Sequence, residues 1–228
     1  SASLVGSEMC IRDRFCMPFE QLALNLTETE APTLENFDAD GNREAVAALA
    51  ACRAGTGPQF ICLWGRAGSG RTHLLRALTP QQSRRVPEFD ERIRLYTADN
   101  VEAFDAEDME RLFILMNEVR AHPASRLVTS VDRPPLMLAV REDIRSRLAW
   151  GLTFEIRPLN AEHAMAEFER RAVMRGIDLS PEVLHWIETT CPRDMKTLMR
   201  LLNAADVYSL QRKRRVTIPL MQQLLETL

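Results

Sequence analysis

The segment that most restricts this chain is GRAGSGRT at residues 65–72. It fits the phosphate-loop spacing G-x-x-x-x-G-K-[ST], with Arg71 in the lysine position. The apolar run QFICLW at 59–64 precedes it, and a helix with Leu74, Leu75 and Leu78 on one face follows it. In that setting the glycines let backbone N–H groups turn inward, and the positive end of the helix adds to the attraction for an anion. A glycine turn could join any strand to any helix, but the strand before and the amphipathic helix after favour phosphate binding. The nucleotide is expected to touch Arg66, Ala67, Gly68, Ser69, Gly70, Arg71, Thr72 and His73, with the Thr72 hydroxyl available to Mg²⁺. Arginine keeps the charge of lysine but is a bulkier planar fork, a change that bears on catalysis more than on binding.

Around this loop the pattern alternates. A helix is expected over 44–52, ended by Gly55, Gly57 and Pro58, with strands over 59–64, 94–98, 126–131 and 152–156. Between them fall a helix over 107–121, with Met109, Leu112, Phe113, Met116 and Val119 at helical spacing, and a short one through Arg145 and Leu148. Such alternation implies a parallel sheet flanked by helices. After Pro158 the strands cease. Asn160 and Ser180-Pro181 are helix starts, a third helix is expected over 194–212 and a fourth after Pro219. The chain therefore divides into a nucleotide-binding base over 33–158 and a small helical unit over 159–228. Residues 17–32 form a polar tail, and residues 1–16 resemble a translated adaptor peptide, expected to be non-native with Met17 as the start.

Composition narrows the class of function. A formal net charge of -3 is not that of a protein built to grip a phosphate backbone, so any DNA contact is expected to be weak or indirect. The five cysteines are odd in number and include no CxxC pair, which suits a reduced, cytoplasmic chain. No run is long enough to span a bilayer, so no membrane role is expected. None of the four histidines has metal-ligand or triad spacing.

Three further motifs could carry chemistry. Asp99-Asn100 closes a strand where a magnesium-orienting acid belongs; Thr72 and Asp99 are the candidate Mg²⁺ ligands. Asn100 takes the place of the acid that would polarise water, so intrinsic hydrolysis is expected to be weak or absent. Glu102 is nearby but is expected to face elsewhere. Arg147, just before Trp150-Gly151, could reach a triphosphate on a neighbouring subunit, although spacing alone favours an ordinary surface or salt-bridged arginine. In the tail, Gln21, Leu22, Leu24 and Leu26 form a short apolar motif suited to a pocket on a partner, or to folding back on its own domain.

QLALNL, TLENFDADGN, FICLWGRAGSGRTHLLRAL, ADNVEAF, VDRPP, SRLAWGLTFEIRPL and RDMKTLMRLLNAADVYSLQRKRRVTIP together resemble the DnaA-related AAA+ proteins, over nearly all of 21–228. The resemblance implies an AAA+ P-loop NTPase fold with a C-terminal helical lid. It implies that the tail motif binds the DNA polymerase sliding clamp and that ADP, or ATP, occupies the loop. Arg147 would be the arginine finger, Asp132 the first sensor and Lys196 the lid sensor, where the family usually has arginine. Phe37 and Asn42 would fall near the adenine. The initiator DnaA carries a helix-turn-helix domain that has no room after this lid, which with the acidic balance favours a regulator that triggers ATP hydrolysis by DnaA. A homodimer stays open. Only about twenty residues separate the loop helix from the Asp99 strand, so the second strand of the usual sheet is expected to be short or absent. Two other readings remain: an active AAA+ ATPase acting as a replication loader, and a nucleotide-stabilised protein adaptor.

Overall fold

A computed structural model describes residues 31–80, 85–212 and 216–227. The leader over 1–16 and the motif Gln21, Leu22, Leu24 and Leu26 lie outside the described residues. Four strands form one parallel sheet: β1 (Phe60–Trp64), β2 (Leu95–Ala98), β3 (Arg126–Val131) and β4 (Leu152–Glu155), in the order β2-β3-β1-β4. β1 lies between β3 and β4, with Phe60 level with Leu127 and Ile61 level with Leu152. Parallel neighbours need crossovers, and these carry α2 (Arg71–Leu78), α3 (Ala106–Ala121) and α4 (Glu142–Leu148) after the leading α1 (Arg43–Arg53). β1 (FICLW) reads as a continuous apolar run, and β3 is buried along most of its length, because helices cover both faces of the sheet.

Two cores result. Leu49, Ile61, Leu63, Leu74 and Leu75 pack on one face, and Tyr96, Leu112, Met116, Leu127 and Ile144 on the other. Asp105 caps α3, its side chain accepting from Asp108 N–H at 2.8 Å, which stabilises such a helix by about 1 kcal/mol.

Among the described residues no strand lies between α2 and β2, in line with the short spacing. The stretch is held instead by Tyr96, whose hydroxyl accepts from the Asp90 N–H and donates to the Asp90 carbonyl, both at 2.7 Å. Val86 is buried in the adjoining core.

From residue 159 the chain builds a separate all-helical core. It comprises α5 (Ala161–Met174), α6 (Pro181–Thr190), α7 (Met195–Arg212) and α8 (Ile218–Glu226), around Phe168, Ile187, Leu198, Leu201 and Met221. Asn160 and Ser180 cap α5 and α6 by accepting from His163 and Val183 N–H. The last helix begins at Ile218, one residue before Pro219, since proline needs no N–H in a first turn.

Cys52, Cys62 and Cys191 are buried free thiols; desolvation pushes the first two up to about 11. Among the described residues, no helix is long and apolar enough to cross a membrane.

Candidate functional site

β1 ends at Trp64 and the chain turns through the glycine-rich loop into α2. Gly68 and Gly70 have φ of 85° and 97°, a left-handed backbone that other residues adopt only with strain. Gly70 stands at the cap position and, having no side chain, cannot itself cap the first turn of α2. The leading N–H groups of a helix lack intrahelical partners, so this end attracts an anion. Two enclosed side chains add to it. Ser69 and Arg71 are only 4% and 7% exposed, and among the described residues Ser69 Oγ and Arg71 Nη1 have no hydrogen-bond partner. A buried polar atom left unpaired costs free energy, which a bound anion would recover. Arg66 and Ala67 are exposed on the outer side of the loop.

Thr72 and Asp99 meet as expected. Thr72 Oγ1 donates to Asp99 Oδ2 at 2.7 Å, and Ser130 Oγ donates to Asp99 Oδ1. The hydroxyl of Thr72 in the first turn of α2 and the carboxylate of Asp99 just after β2 are hard oxygens that fit Mg²⁺ ligation. Asn100 takes a left-handed φ of 53°, and its N–H donates to Ser130 Oγ at 2.9 Å.

That turn corrects one sequence expectation. Glu102 does not face elsewhere: its Oε1 lies 3.9 Å from Arg71 Nη1, and burial raises its pKa. The left-handed Asn100 starts a 3-10 turn that buries Val101 in the core and carries Glu102 toward the loop. Asp132 sits at the end of β3, paired with Arg133 at 2.7 Å, and that hydrogen bond lowers its pKa.

A cavity of about 390 Å³ opens between the loop and the helical core, lined by Phe37, Gly70, His73, His163 and Met199 among others. Phe37 is close enough that a Cβ on Gly70 would sit 2.6 Å from its ring. His73 packs against Phe37 with ring centroids 5.6 Å apart and bonds the Thr33 carbonyl at 3.0 Å. Lys196, in the first turn of α7, lies over the loop, with its Cβ 3.4 Å from a Cβ built on Gly68. Sequence spacing missed the pair that joins the two units across this cavity, His163 Nδ1 and Asp38 Oδ2 at 2.8 Å. Their separation of more than a hundred residues gives no local pattern to read.

Asn42 is not among the residues lining that cavity. Its amide is committed to Arg157, donating to the carbonyl at 3.0 Å and accepting from the N–H at 2.9 Å. Asn42→Ala is expected to orphan both backbone groups and to cost about 2 kcal/mol, read from urea unfolding. An unchanged midpoint would refute the clamp.

Arg147 ends α4 at the far side of the sheet. The chain leaves α4 through Trp150-Gly151 into β4, which starts level with the beginning of β1, whereas the phosphate loop leaves the end of β1. Its guanidinium lies 4.0 Å from the centre of the Phe113 ring and 5.1 Å from that of Trp150. Nη1 donates to the Asp143 carbonyl at 3.0 Å, and Nε and Nη2 reach Asn117 Oδ1 at 3.4 Å. The side chain is therefore oriented and half exposed, near the end of the sheet at which β1 begins. Leu136 and Met137, in a 3-10 turn that packs on α4, are 75% and 72% exposed.

Residues 161–225 match the family described as Hda, lid domain. A Haemophilus influenzae protein described only as uncharacterized is 31% identical over 227 residues, covering 90% of this chain and 98% of that protein. Domain III of the Thermotoga maritima replication initiation protein DnaA superposes with a TM-score of 0.69 at 21% identity, covering 86% of this chain and 95% of that one. AMPPCP-bound DnaA from Aquifex aeolicus gives 0.56 at 20% identity, covering 80% and 68%. The T. maritima Holliday-junction motor RuvB gives 0.56 at 15% identity, covering 86% and 72%. At these identities the structural likeness is one of fold, an AAA+ sheet domain with a helical lid.

Proposed function

Because this chain belongs to the Hda-like, DnaA-related AAA+ proteins, we propose that it regulates replication initiation by lending Arg147 to ATP held by DnaA. The observation that carries this reading is the placement of Arg147. It is oriented by Phe113, Trp150 and Asn117 at the opposite ends of the strands from the chain's own phosphate loop. An arginine so placed acts on a nucleotide bound elsewhere, stabilising charge that develops on the transferred phosphoryl group. Asn100, in place of a water-polarising acid, agrees with a chain that is not itself a robust ATPase.

The loop would hold ADP as a structural ligand between a base over 33–158 and a lid over 159–228. The amides around Ser69 and the Arg71 guanidinium would take the phosphates, Thr72 and Asp99 would take Mg²⁺, and Phe37 and Lys196 would close the cavity. Bound nucleotide bridges the two units and so stabilises their mutual orientation, in which Arg147 is presented. In this reading the tail motif Gln21, Leu22, Leu24 and Leu26 anchors the protein to the sliding clamp in the cytoplasm, and DNA is reached through the clamp.

The test is ATP hydrolysis by DnaA with clamp-loaded DNA, ADP and this protein. Hydrolysis is expected to rise only when all are present. Gln21→Ala combined with Leu24→Ala is expected to abolish co-elution with the clamp and to remove the stimulation, while leaving the melting temperature unchanged. Stimulation that persists without clamp binding would sink the anchor. ATP turnover by this protein alone, lost on Arg71→Ala, would point instead to an active loader-type ATPase.

A further inference from the structure

Glu102 is a carboxylate set against the phosphate loop. Its Oε1 faces Arg71 Nη1 at 3.9 Å, too long for a hydrogen bond but close for a pair of charges. Arg71 Nη1 and Glu102 Oε2 are both buried without a hydrogen-bond partner among the described residues. Two more carboxylates stand nearby: Asp132, which acts electrostatically on Glu102, and Asp99, bonded to Thr72. The basic residue at this place in a phosphate loop reaches the β- and γ-phosphates. Here it already has an anionic neighbour, in an enclosed site where charges interact more strongly than in water.

We propose that Glu102 makes this loop selective for a nucleoside diphosphate, its carboxylate standing where the charge of a third phosphate would fall. A diphosphate held by the loop amides, Ser69 Oγ and Arg71 leaves Glu102 beside Arg71. A triphosphate must bring its terminal phosphate against Glu102 and Asp132 and compete with Glu102 for Arg71. The proposal rests on the nucleotide reading above and adds the residue that sets which nucleotide is kept.

Calorimetry of the full chain with ADP and with the non-hydrolysable triphosphate AMPPCP, at fixed Mg²⁺, tests it. Wild type is expected to bind ADP at least about tenfold more tightly. Glu102→Gln, which keeps shape and removes charge, is expected to bring the ratio close to one, chiefly by tighter AMPPCP binding. Should that variant melt early, Glu102→Thr gives the same readout at smaller volume. A wild type that binds ADP and AMPPCP alike, or variants that keep the wild-type ratio, would overturn the role of Glu102 and leave nucleotide binding standing. A wild type that binds neither removes both. ATP turnover by wild type that disappears in Glu102→Gln would make this carboxylate a general base instead.

Discussion

Arg147→Ala is expected to lower the stimulation of DnaA's ATP hydrolysis by about a thousandfold or more, the scale of a finger supplied in trans. Clamp co-elution, ADP binding and melting temperature should stay near wild type. The guanidinium lies on the surface over Phe113 and Trp150, and its hydrogen bonds go to one carbonyl and one amide. Its loss removes little from the core, so the folding effect is small beside the kinetic one. Arg147→Lys should not rescue activity, because a point charge cannot keep both the ring stacking and the planar fork. A single-turnover assay with DnaA pre-loaded with ATP separates these outcomes. Stimulation undiminished in Arg147→Ala would exclude the assignment.

Gly151→Ala is expected to carry the largest stability cost of any conservative change near the site. A Cβ at residue 151 would fall 1.9 Å from the Phe60 carbonyl oxygen and 2.6 Å from its carbon, so backbone must move. Those atoms begin β1, the strand that leads to the phosphate loop, and residue 152 begins the β1–β4 pairing. Parting the strands should cost about 3 kcal/mol, the upper end for overpacking, and shift melting by about 6–12 °C in a chain of this size. Trp150, which lies beside the Arg147 guanidinium, would move with them, so stimulation of DnaA should fall as well. A change below about 0.5 kcal/mol, the range of an ordinary surface substitution, would show that the strands can yield here.

The difference between these two sites follows what a sequence can encode locally. The loop was legible because strand, glycines and helix are contiguous, and the four strands and the longer helices whose bounds were given followed from periodicity and caps to within about two residues, while the 3-10 turns at 101–103 and 135–137 did not. The short link between α2 and β2 was legible too, since chain length bounds what can be built. Glu102 was misplaced because its direction is set by one left-handed residue, Asn100, and by Ser130 on another strand. A three-residue turn has no periodicity that announces its inner face. Asn42 sits in a recognisable segment, yet its amide is taken up by Arg157, over a hundred residues away. The His163–Asp38 contact was invisible for the same reason.

By itself, then, the order of residues determined the class of fold and the strand–glycine-loop–helix unit, because each depends on neighbours within a turn or a strand, whereas Arg147 became a candidate finger only through the resemblance of SRLAWGL to the family's segment. The packed chain decided which charges share an enclosure: Arg71 with Glu102, Thr72 with Asp99, and Arg147 on the rim away from all of them. Coulomb and hydrogen-bond energies depend on separation in space, and separation along the chain does not set that until the sheet has brought β1, β2 and β3 side by side.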